Sequence, residues 1–239
     1  MGVLSPAQAA SGLRVPRTIM VLLRTEETHP LLTHPLSPDL LERAQALLAS
    51  GQRKILGIAA SPGAGKSTLA ANLLQCLGAQ AQVVPMDGFH LANSELQRLG
   101  RQGRKGAPDT FDAAGYVNLL RRIKQQQPGE TIYAPEYLRE FEEGIAGAIA
   151  IEAETRLVIT EGNYLLLDEG AWSEVRTVLD ESWFLDIDST LRQQRLLERH
   201  MRFGRSREDA LEWIAVTDEP NAQRIEKSRH RANWVIQGD

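Results

Sequence analysis

The run Ala60-Ser-Pro-Gly-Ala-Gly65-Lys66-Ser67 sets two glycines, a lysine and a hydroxyl at the spacing of a phosphate-cradling loop, with alanine at its first position. Gly63 and Gly65 free the backbone to turn its N–H groups inward. That nest, with the start of the following helix, binds phosphate oxygens. The first position only ends a strand, so the methyl group of Ala60 is compatible with the loop. In this reading Lys66 reaches the β- and γ-phosphates and the Ser67 hydroxyl faces Mg²⁺. The candidate nucleotide contacts are Ser61, Gly63, Ala64, Gly65, Lys66, Ser67 and Thr68. An incidental glycine turn is the alternative; a buried strand before the loop and a helix after it favour the phosphate reading.

Two carboxylates follow at strand ends. Asp87, in PMDGFH, closes a strand that belongs beside the loop strand, at the edge where open α/β sheets bind ligands. It can accept a proton from an acceptor hydroxyl as phosphate is transferred. The plain alternative is a turn aspartate before Gly88. Glu161, in VITEGNY, follows a buried strand and can hold Mg²⁺ directly or through water, or serve only as a turn residue.

Cations cluster in two places. Arg192, Arg195, Arg199 and Arg202 recur at helical spacing within a run of six arginines between residues 192 and 207. They are either a solvated face or a lid that clamps phosphates, with Arg195, Arg199 and Arg202 the lid candidates. The loop GRQGRKGAPDTFD carries Arg101, Arg104 and Lys105, which suit an anionic or polyhydroxylated acceptor and equally a solvated basic loop.

Other chemistries lack support. No Asn-Lys-x-Asp string reads guanine, and Asp112 in the DxxG string follows a polar loop, as a helix cap or a substrate-loop residue would. His29, His34, His90, His200 and His230 are scattered, and no metal cluster or Ser-His-Asp triad stands out. Cys76 reads as a small core residue, and a single cysteine fits a reducing cytoplasm. A net charge of −4 argues against a protein that coats nucleic acid. The longest N-terminal apolar run, Ile19–Leu23, is too short for a signal core or a membrane span.

The elements that must position these residues alternate. Strands are expected at KILGIAA, AQVVPM, TIYAP, RLVIT, SWFLDI and NWVIQ. Helices are expected at SPDLLERAQALLAS, STLAANLLQCLG, LANSELQRLG, AAGYVNLLRRIKQQ, GAWSEVRTVL, STLRQQRLLERHMRFG and SREDALEWIAVTDEPNAQRIEKSR. Alternation of this kind predicts an α/β fold whose mostly parallel sheet is covered on both faces. Residues 1–17 read as a disordered extension, with Met20 as a second candidate start. Residues 18–52 read as a strand or hairpin plus helix appendage, and 53–239 as the main domain.

Taken together, PMDGFHL, RKGAPDTFD, APEYLRE, EGNYLLLD and DEPNAQR resemble the P-loop kinases of the phosphoribulokinase/uridine kinase family over about residues 53–237. The likeness is strongest to the bacterial nucleoside/nucleotide and fructose transport system kinases, while MDGFH and RKG look more like the pantothenate kinase pattern. The resemblance implies a three-layer α/β/α P-loop fold of about five strands with an Arg-bearing helical lid. It implies ATP and Mg²⁺ as cofactors and phosphate transfer to a hydroxyl of a small metabolite. It makes Asp87, with Lys66, catalytic, and His90, Arg104, Lys105, Tyr137, Arg139 and Asn163 acceptor contacts. One departure stands out: uridine kinases carry Pro-x-Tyr-Asp, whereas Leu138 follows Tyr137 here. The expected partners are ATP and the acceptor, without nucleic acid or membrane, and a homodimer is left open. The rival reading is an ATP-binding switch with no small-molecule acceptor.

Overall fold

Lys54–Ala59 (β1) is apolar and buried at every position after Lys54. Such a strand must be covered on both faces. The structure, a computed structural model that describes residues 36–238, covers it so. The expected extension over 1–17, the strand or hairpin over 18–33, Met20, His29 and His34 lie outside the described residues.

β1 sits at the centre of a five-stranded sheet with Ala81–Pro85 (β2), Leu157–Gly162 (β5), Glu181–Asp186 (β6) and Trp234–Gln237 (β7), in the order β2-β5-β1-β6-β7. Every pairing in it is parallel. Alternate side chains of β1 face opposite cores, as the pleat requires. Ile55 and Ala59 pack with Tyr116, Val117 and Leu120 of Ala113–Lys124 (α4) and with Val175 of Trp172–Val178 (α5). Leu56 and Ile58 pack with Leu69, Leu73 and Leu77 of Lys66–Leu77 (α2). Pro38–Ala49 (α1) adds Leu40, Ala44 and Leu48 to that second core. The sequence reading assigns this helix to an appendage; its apolar face makes it part of the body.

Three findings differ from the expected elements. Ile132–Leu138 (β3) pairs antiparallel with Glu143–Ile151 (β4), a strand absent from the sequence reading. Together they form a separate two-stranded sheet. The sequence EGIAGAIAI is rich in glycine and alanine, which are poor strand formers, so its strand state comes from its partner. The register shifts between Ala134 and Glu136, around Pro135, which has no N–H to give the ladder.

The long helix expected over 206–229 is broken into Arg207–Trp213 (α7), a π turn at Ile214–Asp218 and Glu219–Glu226 (α8). Pro220 lies in the first turn of α8, where its missing N–H costs least. The π turn accommodates that proline without ending the helical path. Finally, Cys76 is exposed: Leu69, Ala70, Leu73 and Leu77 form the buried face of α2, and Cys76 is not on it.

Candidate active site

The loop after β1 has the backbone that its glycines foretell. Gly63 and Gly65 take φ of +83° and +94°, and Ala60 needs no such conformation. A Cβ on Gly63 would meet the Arg192 carbonyl at 2.8 Å, so glycine is required there for close packing as well. The amides of Gly65, Lys66, Ser67 and Thr68 find no acceptor among the described residues, as befits the open N-terminus of α2. The Ser61 hydroxyl turns away from the loop mouth and donates to Glu226 Oε1 of α8 at 2.6 Å. Any phosphate contact by Ser61 therefore falls to its backbone.

Glu161, on β5, pairs in register with Pro85 of β2 and with Ile58 of β1. That register sets it beside the phosphate loop. Ser67 Oγ donates to Glu161 Oε1 at 2.9 Å, and Lys66 Nζ lies 4.0 Å from Oε2. Glu161 Oε2 is buried with no hydrogen-bond partner. Burial pushes the Glu161 carboxyl above its ordinary range, against the pull of Lys66. A buried carboxylate oxygen without a donor, beside a serine hydroxyl, fits a divalent cation. Among the described residues no group of three or more His, Cys, Asp or Glu could hold a metal. Mg²⁺ bound through phosphate oxygens and waters does not need such a group.

Asp87 lies two residues past β2, in the short 3₁₀ turn Met86–Phe89. Its side chain is 26% exposed and accepts no hydrogen bond from the described residues. Burial opposes its ionisation, yet the fields of His90, Lys66, Arg139 and Arg199 outweigh that and hold the carboxyl below its ordinary range. Arg139 Nη2 is the nearest cation to it, at 3.9 Å. His90 is packed between Phe111 and Tyr137, with ring centroids 4.0 and 4.6 Å away, and its Nδ1 lies 2.7 Å from the Asp87 carbonyl oxygen. Burial lowers its pKa, against the pull of Asp87.

The acceptor-side segments are tied together around this point. Leu91 N donates to Thr110 O and Asp112 N to Phe89 O, both at 2.9 Å, which fastens the RKGAPDTFD loop to the Asp87 turn. Tyr164 Oη donates to Gly106 O, and Trp172 Nε1 to Pro108 O at 3.1 Å. Asp112 caps α4 by accepting from Gly115 N at 2.8 Å. Lys105 Nζ donates to Asn93 Oδ1 at 2.7 Å and to Glu142 O, and sits over the Tyr137 ring. Glu142 takes φ of +52°, at the turn between β3 and β4. Arg104 is exposed and paired with Asp109. Asn163 Oδ1 is buried without a partner.

This architecture is that of a known group. The signature of the "Phosphoribulokinase / Uridine kinase family" matches residues 55–238. The chain belongs to that family. This P-loop kinase is 33% identical over 210 residues to a candidate uridine kinase, C227.14, of Schizosaccharomyces pombe, covering 83% of this chain and 89% of that one. It is 33% identical over 218 residues to the Escherichia coli protein YggC, covering 89% and 86%. A solved structure from Silicibacter sp. TM1040, described as a candidate fructose transport system kinase, superposes with a TM-score of 0.75 at 36% identity, over 82% of this chain and 98% of that one.

In the kinase, Ser189–Arg202 (α6) carries the expected lid arginines, which fare differently. Arg192 is buried and paired with Glu219 at 2.5 Å. Arg195 lies near the phosphate loop, its Nη1 3.7 Å from where a Cβ on Gly65 would be. Arg199 is partly buried, and its pKa is lowered by burial and by the repulsion of Arg139, against the pull of Asp218 and Asp87. Arg202 is exposed. His200 Nε2 lies 2.7 Å from Asp218 Oδ2, in the π turn. The sequence reading missed Asp218, Glu219, Asn93 and Phe203. The DEPNAQR string marked the first two. Nothing local marks Asn93 or Phe203, which acquire their places only through contacts distant in sequence. No helix among the described residues is long and apolar enough to cross a membrane.

Proposed function

We propose that this protein transfers the γ-phosphoryl group of ATP to a hydroxyl of a small metabolite. One observation carries the reading. The Asp87 carboxylate is ionised, free of hydrogen bonds, and within the fields of both Lys66 on the phosphate side and His90 and Arg139 on the acceptor side. A base in that position can take the acceptor proton while the acceptor oxygen bonds to phosphorus and the bond to the bridging oxygen of ADP breaks. Lys66 and the amides from Gly65 to Thr68 bind the phosphates. Ser67 and Glu161 would hold Mg²⁺, which neutralises phosphate charge when bound. Arg195 and Arg199 face the transferring group from α6, while Arg192 holds that helix in place.

The test starts with a metabolite library in a thermal-shift screen with a non-hydrolysable ATP analogue, followed by ADP release on the hits. Asp87→Asn is expected to lower turnover by about 10²–10⁴-fold with nucleotide affinity unchanged. Turnover at the wild-type rate would remove the base from Asp87. ADP release that needs no acceptor, together with a captured protein partner, would instead support an ATP-driven switch.

A further inference from the structure

On the acceptor side one cation differs from the rest in making no hydrogen bond to a described residue. Arg101 and Arg104 are paired with Asp109, and Lys105 is bonded to Asn93 and Glu142. The Arg139 guanidinium makes no hydrogen bond to any described residue. Its closest carboxylate, Asp87, is at 3.9 Å, beyond hydrogen-bond range. Arg139 sits at the β3–β4 turn, two residues after Tyr137, and its guanidinium lies 5.9 Å from the Phe203 ring that caps α6. It also repels Arg199, which likewise has no hydrogen-bonded partner. Arg199 feels Asp218 and Asp87, and Arg139 faces Asp87, yet neither guanidinium is hydrogen-bonded to a described residue. Each has five donors and can grip an anion bidentately.

The transferring phosphoryl group accounts for one of the two. Arg199 comes from the same helix as Arg195, which lies by the phosphate loop, so Arg199 is placed for that task. Arg139 comes from the hairpin, among the acceptor-side residues, and remains for the acceptor. We propose that the acceptor is a short hydroxylated compound bearing an anionic group, carboxylate or phosphate, and that Arg139 binds that group. This rests on the kinase reading above.

Geometry limits the acceptor's length. Its hydroxyl lies about 2.7 Å from Asp87, and its acid oxygen about 2.8 Å from Arg139. With the two side chains 3.9 Å apart, the hydroxyl and acid oxygens lie at most about 9 Å from each other, which fits a short acceptor. Asn163 adds a specific contact. Pro85 and Glu161 are paired in register on neighbouring strands, and Asp87 and Asn163 each follow two residues later, past the ends of those strands. The buried Asn163 Oδ1 is an unfilled acceptor for a second acceptor hydroxyl. Neutral ketoses and nucleosides carry no acid group for the Arg139 guanidinium to grip.

The test is ADP release by the full chain with four sets of acceptors at equal concentration: short hydroxycarboxylates, phosphorylated short alcohols, neutral sugars including fructose, and nucleosides. Binding of each set is measured separately by calorimetry in the presence of a non-hydrolysable ATP analogue. One of the two anionic sets is expected to be phosphorylated, and which one identifies the acid group. Arg139→Gln should raise KM for that acceptor roughly 10- to 100-fold with little change in kcat, and Arg139→Lys should fall between. A neutral sugar or nucleoside turned over in preference to both anionic sets would overturn the proposal and leave the kinase reading intact. So would an Arg139→Gln variant that loses kcat with KM unchanged, because Arg139 would then serve the phosphoryl group. Anionic compounds that bind through Arg139 but are never phosphorylated would uphold the anion site and overturn the kinase reading.

Discussion

A Cβ on Gly144 would lie 2.5 Å from the carbonyl oxygen of Gly88. Gly88 follows Asp87, and Gly144 begins the second strand of the hairpin that bears Tyr137 and Arg139. The acceptor hairpin is therefore docked, backbone to backbone, on the turn that carries the proposed base. Gly88 is equally constrained: its own Cβ would collide with the Pro135 carbonyl. Two glycines from distant parts of the chain let one element bring acceptor contacts to a carboxylate on another.

That contact predicts a selective defect. Gly144→Ala must push the hairpin off the Asp87 turn, at a cost of about 1–3 kcal/mol. Acceptor KM should rise several-fold, while the affinity for an ATP analogue, bound at the loop before α2, stays within error. Equal loss of both affinities would show that the hairpin does not act on the acceptor alone.

Ser67 and Glu161 make a second prediction. Ser67→Ala removes the hydrogen bond to a buried carboxylate whose other oxygen already lacks a partner. About 1–3 kcal/mol of stability should be lost in metal-free protein, and more Mg²⁺ should be needed for half-maximal rate. Ser67→Thr restores the hydroxyl and should recover most of both. A Mg²⁺ dependence unmoved by Ser67→Ala would take the hydroxyl out of the metal site.

The pH dependence follows from Asp87. Its folded pKa is lowered, so it is ionised through the neutral range and down past the ordinary aspartate value of about 3.9. A depressed carboxylate contributes stability that is full above the unfolded pKa and lost as pH falls through the folded one. The wild type should therefore lose stability relative to Asp87→Asn only below about pH 4, in urea titrations run across that range. Turnover should show no acid limb from Asp87 above about pH 5. A kcat/KM profile with an Asp87-dependent limb near neutrality would contradict the lowered value.

The lid arginines are expected to separate. Glu219→Ala strands the buried Arg192 guanidinium, one of whose nitrogens already lacks a partner. It should cost about 3 kcal/mol in global unfolding. Arg202→Ala, at an exposed position, should leave unfolding unchanged. Arg199→Ala should lower kcat with little loss of stability, since Arg199 has no hydrogen-bonded partner. A Glu219→Ala variant as stable as wild type would mean that α6 is not held by this pair.

Much of this was legible in the chain itself, because it depends on neighbours in sequence. A strand, a glycine loop, Lys66-Ser67 and a helix are one contiguous run, and positive φ at Gly63 and Gly65 follows from local backbone needs. The apolar strands alternating with helices made the parallel sheet and its two cores foreseeable. Asp87 and Glu161 could be placed because one follows and the other closes a strand, although β5 and not β2 turns out to be the neighbour of β1. Tertiary structure decided the rest. The strand state of EGIAGAIAI depends on pairing with Ile132–Leu138, since its own propensity is weak. Four arginines on one helix look alike in sequence; burial against Glu219 makes Arg192 structural, and the field of Asp87 sets Arg199 apart. Among the acceptor-side cations, only folding shows that Asp109, Asn93 and Glu142 take hydrogen bonds from three and that Arg139 makes none to a described residue. Charge is written in the sequence, but whether a charge is already matched is a property of what folds against it.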